Sequence, residues 1–342
     1  MSDIPSQHLP PFPEGLPEAP IAFISSQKLL DHDEATNDAV IKACQTYGFF
    51  YLNLNDSARG RNIVDQVNQI YKLTESTFDI PFSEKDKYNV NKSGSQFGYK
   101  AAGTVKLTDR NRRPDTTEFF NIGKDHLFGF TESWSYPKVI EEHRQLLKDF
   151  TEDVHRAALT ILRVLAAKLN IPENSFTDLN RFEDPSGSHV RLTKKTAHPD
   201  IQDGIGLPSH TDFGSVTVLF NWLGGLQIES RTPGRVGEWE YVRPVPGHAI
   251  INLGDAMVKF TNGALKSAKH RVVPIPGEQG EFDRISVVYF VRPANNALMR
   301  PLDKFELGNH IKVGGKVSVG DDDGRVFTAA EWLERRKIQM AS

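Results

Sequence analysis

The sequence predicts a mainly β protein with a helical frame, an α+β fold. From about residue 188 onward, short runs rich in β-branched residues alternate with turns that contain glycine or proline. This pattern is typical of a sandwich or a double-stranded barrel. Before it, apolar residues recur in steps of three and four over 137–169, which predicts a long scaffold helix that ends before Pro172.

The N-terminal elements are predicted to alternate between helix and strand. Residues 1–20 are rich in proline and predict an extended arm, because proline fixes the backbone and removes a hydrogen-bond donor. The elements after the arm are, in chain order, a helix over 34–47, an aromatic-rich strand over 48–54, a helix over 60–79, a helical turn over 83–88 and a loop or irregular hairpin over 90–114. Ser83 is the expected cap of the helical turn.

The second half of the chain predicts strands and a terminal helix. The strand-like runs are HVRLT (189–193), SVTVLF (215–220), LQIES (226–230), EWEYV (238–242), AIINL (249–253), HRVVPI (270–275) and RISVVYFV (284–291). Residues 300–342 are mixed, and TAAEWLERRKIQM predicts a helix capped by Thr328.

The composition excludes several classes of function. The formal net charge of −3 leaves no large basic field for nucleic acid or an anionic membrane surface. No apolar run approaches the roughly 18–20 residues that cross a bilayer, and the polar N-terminus lacks the pattern of a secretory signal. The single cysteine, Cys44, predicts a buried structural thiol in a reducing compartment. We therefore expect a cytoplasmic protein with no evident obligate protein partner.

Two histidines and an aspartate form a candidate metal site. His210 stands two residues before Asp212, so on an extended segment both side chains point the same way. His270 begins a strand-like run 58 residues after Asp212, an interval in which several strands can return the chain to one place. Two imidazoles and one carboxylate leave metal positions open, as in non-haem iron(II) oxygenases. One cysteine cannot supply a typical closed zinc site, but a hydrolytic zinc site with the same three ligands stays open.

Arg284 and Ser286 form a candidate anion socket. They stand two apart in a run that predicts a strand, so they share a face. A guanidinium fork with a neighbouring hydroxyl suits the distal carboxylate of a dicarboxylic acid. The alternative interpretation is an ordinary salt bridge on a half-exposed strand.

Longer motifs stand in a fixed order around these residues. They are ACQTYGFFYL (43–52), FGYKAAG (97–103), DTTEFFNIG (115–123), LPSHTDFGSVTVLF (207–220), GGLQI (224–228), INLGDAMVKFTNGALKSAKHRVV (251–273) and RISVVYFVRP (284–293). In these motifs the chain resembles the 2-oxoglutarate and iron(II)-dependent dioxygenase superfamily, specifically its isopenicillin N synthase-like branch, over nearly its whole length. Fungal enzymes of specialised metabolism look similar in particular.

This resemblance implies a fold, a reaction and a set of roles. It implies a double-stranded β-helix (jelly-roll) core over 181–300, a mostly helical portion over 1–180 and a C-terminal extension over 301–342, all in one oxygenase unit. It implies iron(II) on His210, Asp212 and His270, and 2-oxoglutarate with its far carboxylate on Arg284 and Ser286. A C–H bond of a small organic substrate would be oxidised with dioxygen, and succinate and CO2 would be released.

The chain departs from the family pattern beside the cosubstrate site. Plant members of the family often carry a tyrosine-rich segment where this chain has VRLTKKTAHPD (190–200), and a tyrosine there commonly helps to hold the cosubstrate. Thr193 and Lys195 occupy that neighbourhood, and the sequence does not select between them. A second departure is YLNLND (51–56), where many relatives have a histidine–glycine pair. This region is structural, and we assign it no function.

The substrate pocket is predicted by position in the family. The candidate lining residues are Phe97, Tyr99, Phe119, Arg191, Phe220, Trp222 and Phe290. Each of them also suits a core aromatic or a structural arginine. Their aromatic bias favours a carbocyclic or polyketide-like substrate over a small amino acid.

Two other functions are compatible with the sequence. One is an oxidase of the same fold that does not consume 2-oxoglutarate, because such relatives also keep an R-x-S pair. The other is a ligand-binding protein that has lost turnover, which the intact metal triad disfavours. The sequence leaves open the substrate, the oligomeric state and the outcome, which in this family is hydroxylation, desaturation, ring expansion or cyclisation.

Overall fold

Two β-sheets and a helical layer make up the part of the chain that the structure describes. A computed structural model describes residues 9–104, 115–197, 207–305 and 325–341. The strands are β1 (Ala22–Ser25), β2 (Phe49–Asn53), β3 (Gly98–Lys100), β4 (Thr117–Gly123), β5 (His189–Lys195), β6 (Leu207–His210), β7 (Val216–Asn221), β8 (Leu226–Glu229), β9 (Trp239–Tyr241), β10 (His248–Leu253), β11 (His270–Val272) and β12 (Arg284–Val291). The larger sheet has the order β1-β2-β10-β7-β12-β5-β4-β3, and the smaller sheet has the order β6-β11-β8-β9.

The helices frame the larger sheet. They are α1 (Ser26–Leu30), α2 (Glu34–Thr46), α3 (Ala58–Asp79), α4 (Phe82–Lys85), α5 (Val90–Ser93), α6 (Lys124–Phe128), α7 (Lys138–Glu141), α8 (Arg144–Lys168), α9 (Asp255–Phe260) and α10 (Ala329–Ala341). Leu147, Phe150 and Ile161 of α8 are fully buried in the main core, together with residues of α3 and of the sheet. The same core encloses Cys44, whose thiol is free and has its pKa raised by burial. No helix in the described residues is long and apolar enough to cross a membrane.

Most predicted elements are confirmed, and two local predictions are wrong. The helix predicted over 137–169 is interrupted, because the backbone at His143 leaves the helical region (φ −107°, ψ 18°) and separates α7 from α8. Ser83 lies inside α4 and is not its cap. The N-cap is Pro81, whose extended backbone starts the helix where an N–H is not required. Thr328 caps α10 as predicted, with reciprocal hydrogen bonds to Glu331.

The strands of the N-terminal portion complete the larger sheet. β1 and β2 extend it at one edge through β10, and β3 and β4 extend it at the other edge through β5. The residues over 105–114, in the segment predicted as a loop or irregular hairpin, lie outside the described residues.

One face of β5 and β12 looks toward the smaller sheet. The two strands pair with Lys195 opposite Arg284, Thr193 opposite Ser286, and Arg191 opposite Val288. Alternate side chains of a strand share a face, so these six residues point to one side of the larger sheet. A cavity of about 150 Å³ lies there, and its lining includes residues of both sheets.

Candidate active site

Three potential metal ligands converge at one wall of this cavity. β6 and β11 pair antiparallel with His210 directly opposite His270, and their ring centroids lie 4.3 Å apart. Asp212 follows β6 by two residues, and its Oδ1 lies 3.8 Å from Nε2 of each histidine. One ligand atom from each residue falls within 4.8 Å of the others, a separation at which one ion can contact all three.

Hydrogen bonds orient both imidazoles toward the common centre. Nδ1 of His210 lies 2.9 Å from the Pro208 carbonyl oxygen, and Nδ1 of His270 lies 3.2 Å from that of Ala268. Each Nδ1 therefore carries the proton, and each Nε2 presents its lone pair to the cavity. Burial, together with the neighbouring His270, lowers the pKa of His210 to about 4, which keeps the ring neutral at physiological pH.

The carboxylate of Asp212 is held by its second oxygen. Oδ2 accepts hydrogen bonds from Thr217 Oγ1 at 2.7 Å and from Asn252 Nδ2 at 2.8 Å. Burial alone would favour the protonated acid, but the two histidines and these hydrogen bonds hold the pKa of Asp212 below its usual range. Oδ1 is left facing the two histidine Nε2 atoms.

Removal of the Asn252 amide is expected to weaken metal binding without removing a ligand. Asn252→Ala frees one lone pair of Asp212 Oδ2 and loosens the carboxylate, so iron(II) affinity should fall roughly 10- to 100-fold. Competition with a chromogenic chelator measures this directly. Asn221→Ala is the matched control, since the Asn221 amide donates to the Leu223 carbonyl and not to the triad. Equal iron affinity in Asn252→Ala and in the wild type would show that Asp212 needs no such support.

A second polar cluster in the cavity is positively charged. The Arg284 side chain is buried, donates from Nε to the Gly224 carbonyl oxygen at 2.7 Å, and has Nη1 3.4 Å from Ser286 Oγ. Gly225, which follows Gly224 in the sequence, has φ +95°, and a Cβ there would lie 2.8 Å from the Val273 carbonyl oxygen. The turn that contacts Arg284 therefore requires glycine at this position.

Lys195 adds a second cation beside Arg284. It is buried, lines the same cavity and lies opposite Arg284 in the strand register. Burial, and to a lesser degree the charge of Arg284, lowers the pKa of Lys195 to about 8. Among the described residues, no carboxylate forms an ion pair with either of these cations. Two buried charges of one sign are unfavourable unless an anion joins them, so this end of the cavity suits a carboxylate.

The predicted pocket residues divide into two groups. Phe119, Arg191 and Phe290 line the cavity. The others contact different parts of the described chain: Tyr99 donates its hydroxyl to Glu118, Phe97 packs on His126, Phe220 packs on Phe150, and Trp222 packs on Tyr71. Tyr99 and Phe220 stand next to Lys100 and Leu219, whose side chains line the cavity. Because adjacent side chains of a strand point to opposite faces, Tyr99 and Phe220 point away from the cavity.

Sequence reasoning did not identify several residues that complete the cavity. A buried ion pair joins Lys100 to Asp115, and both residues line the cavity. Neither the register of β3 and β4 nor this pairing has a signal in the sequence. Thr217 and Asn252 were also missed, although Thr217 follows Asp212 by only five residues in the same motif, LPSHTDFGSVTVLF.

Two family models match the chain, and they cover much of its length. The 2OG-Fe(II) oxygenase superfamily model matches residues 187–293, which include the triad, Arg284 and Ser286. A model for the N-terminal region of a non-haem dioxygenase in morphine synthesis matches residues 20–140. The chain belongs to the 2-oxoglutarate and iron(II)-dependent oxygenase superfamily. It is a dioxygenase whose cofactor is iron(II) and whose cosubstrate is 2-oxoglutarate.

The relatives include fungal and plant enzymes. The chain is 32% identical to a 2-oxoglutarate-dependent dioxygenase of Aspergillus fumigatus, over 85% of this chain and 80% of that protein. It is 31% identical to a dioxygenase of the same description from Gibberella zeae, over 83% of this chain and 82% of that one. It is 26% identical to feruloyl CoA ortho-hydroxylase 2 of Arabidopsis thaliana, over 87% and 79% respectively.

Solved structures share the fold. A full-length Neurospora crassa protein in complex with alpha-KG matches with a TM-score of 0.73 at 22% identity, over 94% of this chain and 96% of that chain. JOX2 in complex with 2OG, Fe and JA matches with a TM-score of 0.66 at 24% identity, over 89% and 84%. The fold is therefore a double-stranded β-helix with helices, as the family resemblance implied.

Proposed function

We propose that His210, Asp212 and His270 bind the iron and that Arg284, Ser286 and Lys195 bind the far carboxylate of 2-oxoglutarate. The observation that carries this proposal is that both clusters line one cavity between the two sheets. Two histidines and an aspartate alone could hold the metal of a hydrolytic enzyme as well as that of an oxygenase. A buried pair of cations in the same cavity suits a chelating keto acid with a second carboxylate.

The three proposed ligands fit iron(II). Both histidines are oriented with Nε2 toward the centre, and Asp212 presents one free oxygen while the other is hydrogen-bonded. Two imidazoles and a carboxylate leave the open positions that a cosubstrate and dioxygen require. Iron bound there, with 2-oxoglutarate and dioxygen, supplies the oxidation of a substrate C–H bond with release of succinate and CO2.

Lys195 is proposed to take the place of the cosubstrate tyrosine of the relatives. Thr193, the other candidate, also faces the cavity, but it lies opposite Ser286 in the register, whereas Lys195 lies opposite Arg284. An ammonium and a guanidinium on adjacent strands can bind the two oxygens of one carboxylate. The anion in turn removes the repulsion between the two cations.

The remaining cavity wall is proposed to hold the main substrate and to exclude water. Phe49, Leu219, Val288 and Phe290 give this wall an apolar surface, which favours a small carbocyclic or polyketide-like molecule. The same Neurospora crassa protein has been solved with thymine and JOX2 with JA, so small-molecule ligands occur in proteins of this fold. We also propose a role in specialised metabolism, which the fungal relatives support. A cytoplasmic location is proposed from the sequence.

Lys195→Met is expected to weaken 2-oxoglutarate binding and to remove its dependence on pH. A bound carboxylate favours the charged ammonium, so binding raises the Lys195 pKa from its free value of about 8. In the wild type, affinity therefore falls as pH rises above about 8, because the free protein has lost the proton that binding needs. At neutral pH, Lys195→Met should bind 2-oxoglutarate about tenfold more weakly.

Calorimetric titration of the anaerobic iron(II) protein with 2-oxoglutarate at several pH values tests this prediction. Lys194→Met is the matched control, since Lys194 lies next to Lys195 on the opposite face and pairs with Asp283 at 3.0 Å. The wild type and Lys194→Met should show the same pH dependence. If Lys195→Met retained wild-type affinity and the wild-type pH dependence, Lys195 would not contact the cosubstrate.

A further inference from the structure

Arg191 is a further cation of the cavity, and it has no role in the proposed binding of iron and 2-oxoglutarate. Arg191 lies on β5 between His189 and Thr193, on the face that carries Lys195. The Lys100 ammonium pairs with Asp115. Both Arg284 and Lys195 are assigned to the far carboxylate of 2-oxoglutarate. Asp212 is assigned to the iron. Among the described lining residues, Arg191 is then left without an acidic partner.

The guanidinium of Arg191 is held in one orientation. Its Nε donates to Asn121 Oδ1 at 2.7 Å, and its central carbon lies 4.2 Å from the ring centroid of Phe119 and 4.9 Å from that of Phe290. Two aromatic rings and one amide leave the terminal Nη groups for another acceptor. A fork fixed in advance loses little side-chain entropy on binding, which strengthens recognition of a planar anion.

The local field is positive as well. Burial lowers the pKa of Arg191 to about 10, against the opposing effect of Asp212, so the guanidinium stays charged at neutral pH. Arg292 follows the end of β12, and burial and the charge of Arg191 lower its pKa to about 10. Its Nη1 donates to Gln96 Oε1 at 2.6 Å, so its described partner is a neutral amide. An anion near Arg191 would relieve this accumulation of charge.

We propose that Arg191 binds a carboxylate group of the main substrate. The carbocyclic body of that substrate then lies against Phe119 and the apolar wall, which includes Phe290. This inference rests on the proposed function, because the proposed iron and cosubstrate sites, together with the Lys100–Asp115 ion pair, account for the other charges of the lining. It narrows the substrate class to small carboxylic acids with a planar or ring-shaped apolar body. Free amino acids fit poorly, since the described lining has no carboxylate left for their ammonium group.

The test compares carboxylates with their neutral amides. Benzoate, cinnamate and 2-naphthoate, and the corresponding carboxamides, are titrated calorimetrically into the anaerobic complex of the protein with iron(II) and 2-oxoglutarate at pH 7.5. For at least one pair, the carboxylate is expected to bind roughly tenfold or more tightly than its amide, because a charge-assisted fork is lost in the amide. L-Phenylalanine is expected to bind more weakly than that carboxylate.

Two variants locate the effect at Arg191. Arg191→Gln should bind acid and amide equally, with its melting temperature recorded as a check of folding. Arg271→Gln is the matched control and should keep the discrimination. The Arg271 Nε also donates to an amide oxygen, that of Gln227, at 2.9 Å, and its guanidinium also lies 4.2 Å from a ring, that of Trp239, but it does not line the cavity.

The outcomes separate this inference from the proposed function. If no carboxylate in the wild type binds more tightly than its amide, the inference is overturned, whatever the variants do. If Arg191→Gln instead needs more 2-oxoglutarate for half-saturation, Arg191 holds the cosubstrate and the inference is also overturned. Failure of the wild type to bind 2-oxoglutarate at all would contradict the proposed function itself.

Discussion

His210→Ala is expected to lose specific iron(II) binding and, with it, all 2-oxoglutarate turnover. The substitution removes one of the three proposed ligand atoms and leaves His270 and Asp212 to hold the ion alone. Substitution of an outer partner of a ligand already costs roughly 10- to 100-fold in metal affinity, and the loss of a ligand should exceed that. Iron content after anaerobic loading and desalting, read beside succinate release, measures both effects.

His248→Ala provides a matched control for this substitution. Nδ1 of His248 lies 3.0 Å from the carbonyl oxygen two residues before it, the same local arrangement as in His210 and His270, but His248 does not line the cavity. The control should keep one iron per chain and full turnover. Stoichiometric iron in His210→Ala would show that the metal, if any, is held elsewhere.

Arg284→Gln is expected to have the second largest effect, a rise of roughly 30-fold or more in the 2-oxoglutarate concentration that half-saturates the protein. Truncation of one partner of a buried, hydrogen-bonded charge pair costs about 2–5 kcal/mol, and Lys195 retains part of the attraction. Iron affinity should stay unchanged, because Arg284 does not contact the triad. Ser286→Ala should show a smaller rise, since it removes one neutral hydroxyl.

Calorimetry with 2-oxoglutarate distinguishes a cosubstrate-binding role of Arg284 from a purely structural one. Arg243→Gln is the control, because Arg243 is a surface arginine whose guanidinium lies 3.6 Å from Glu18. If Arg284→Gln lowered the melting temperature but bound 2-oxoglutarate as the wild type does, Arg284 would serve only its hydrogen bond to the Gly224 carbonyl.

The site was predictable where one short segment carries two functional residues. His210 with Asp212, and Arg284 with Ser286, stand two apart, so strand geometry alone brings each pair to one face. The family resemblance then joined these pairs to His270. The seven strand-like runs after residue 188 were predictable for a related reason. Runs of β-branched residues favour strands, and glycine-containing turns between them mark the strand ends, so both signals are local in the sequence.

The remaining features depend on pairings between strands that are distant in the sequence. Lys195 meets Arg284, and Lys100 meets Asp115, only because β12, β5, β4 and β3 lie side by side. A one-residue change of register reverses the face of every side chain in a strand, so Tyr99 and Phe220 could not be separated from cavity residues in advance. The interruption at His143 leaves the apolar periodicity intact and has no sequence signal.

The most direct test of the account is the visible absorption of the anaerobic protein loaded with iron(II) and titrated with 2-oxoglutarate. A keto acid chelated to iron(II) gives a metal-to-ligand charge-transfer band. We expect this band in the wild type at one 2-oxoglutarate per chain, at higher concentration in Arg284→Gln, and not at all in His210→Ala. Iron that binds without giving the band, or a band of wild-type strength in His210→Ala, would contradict the proposed site.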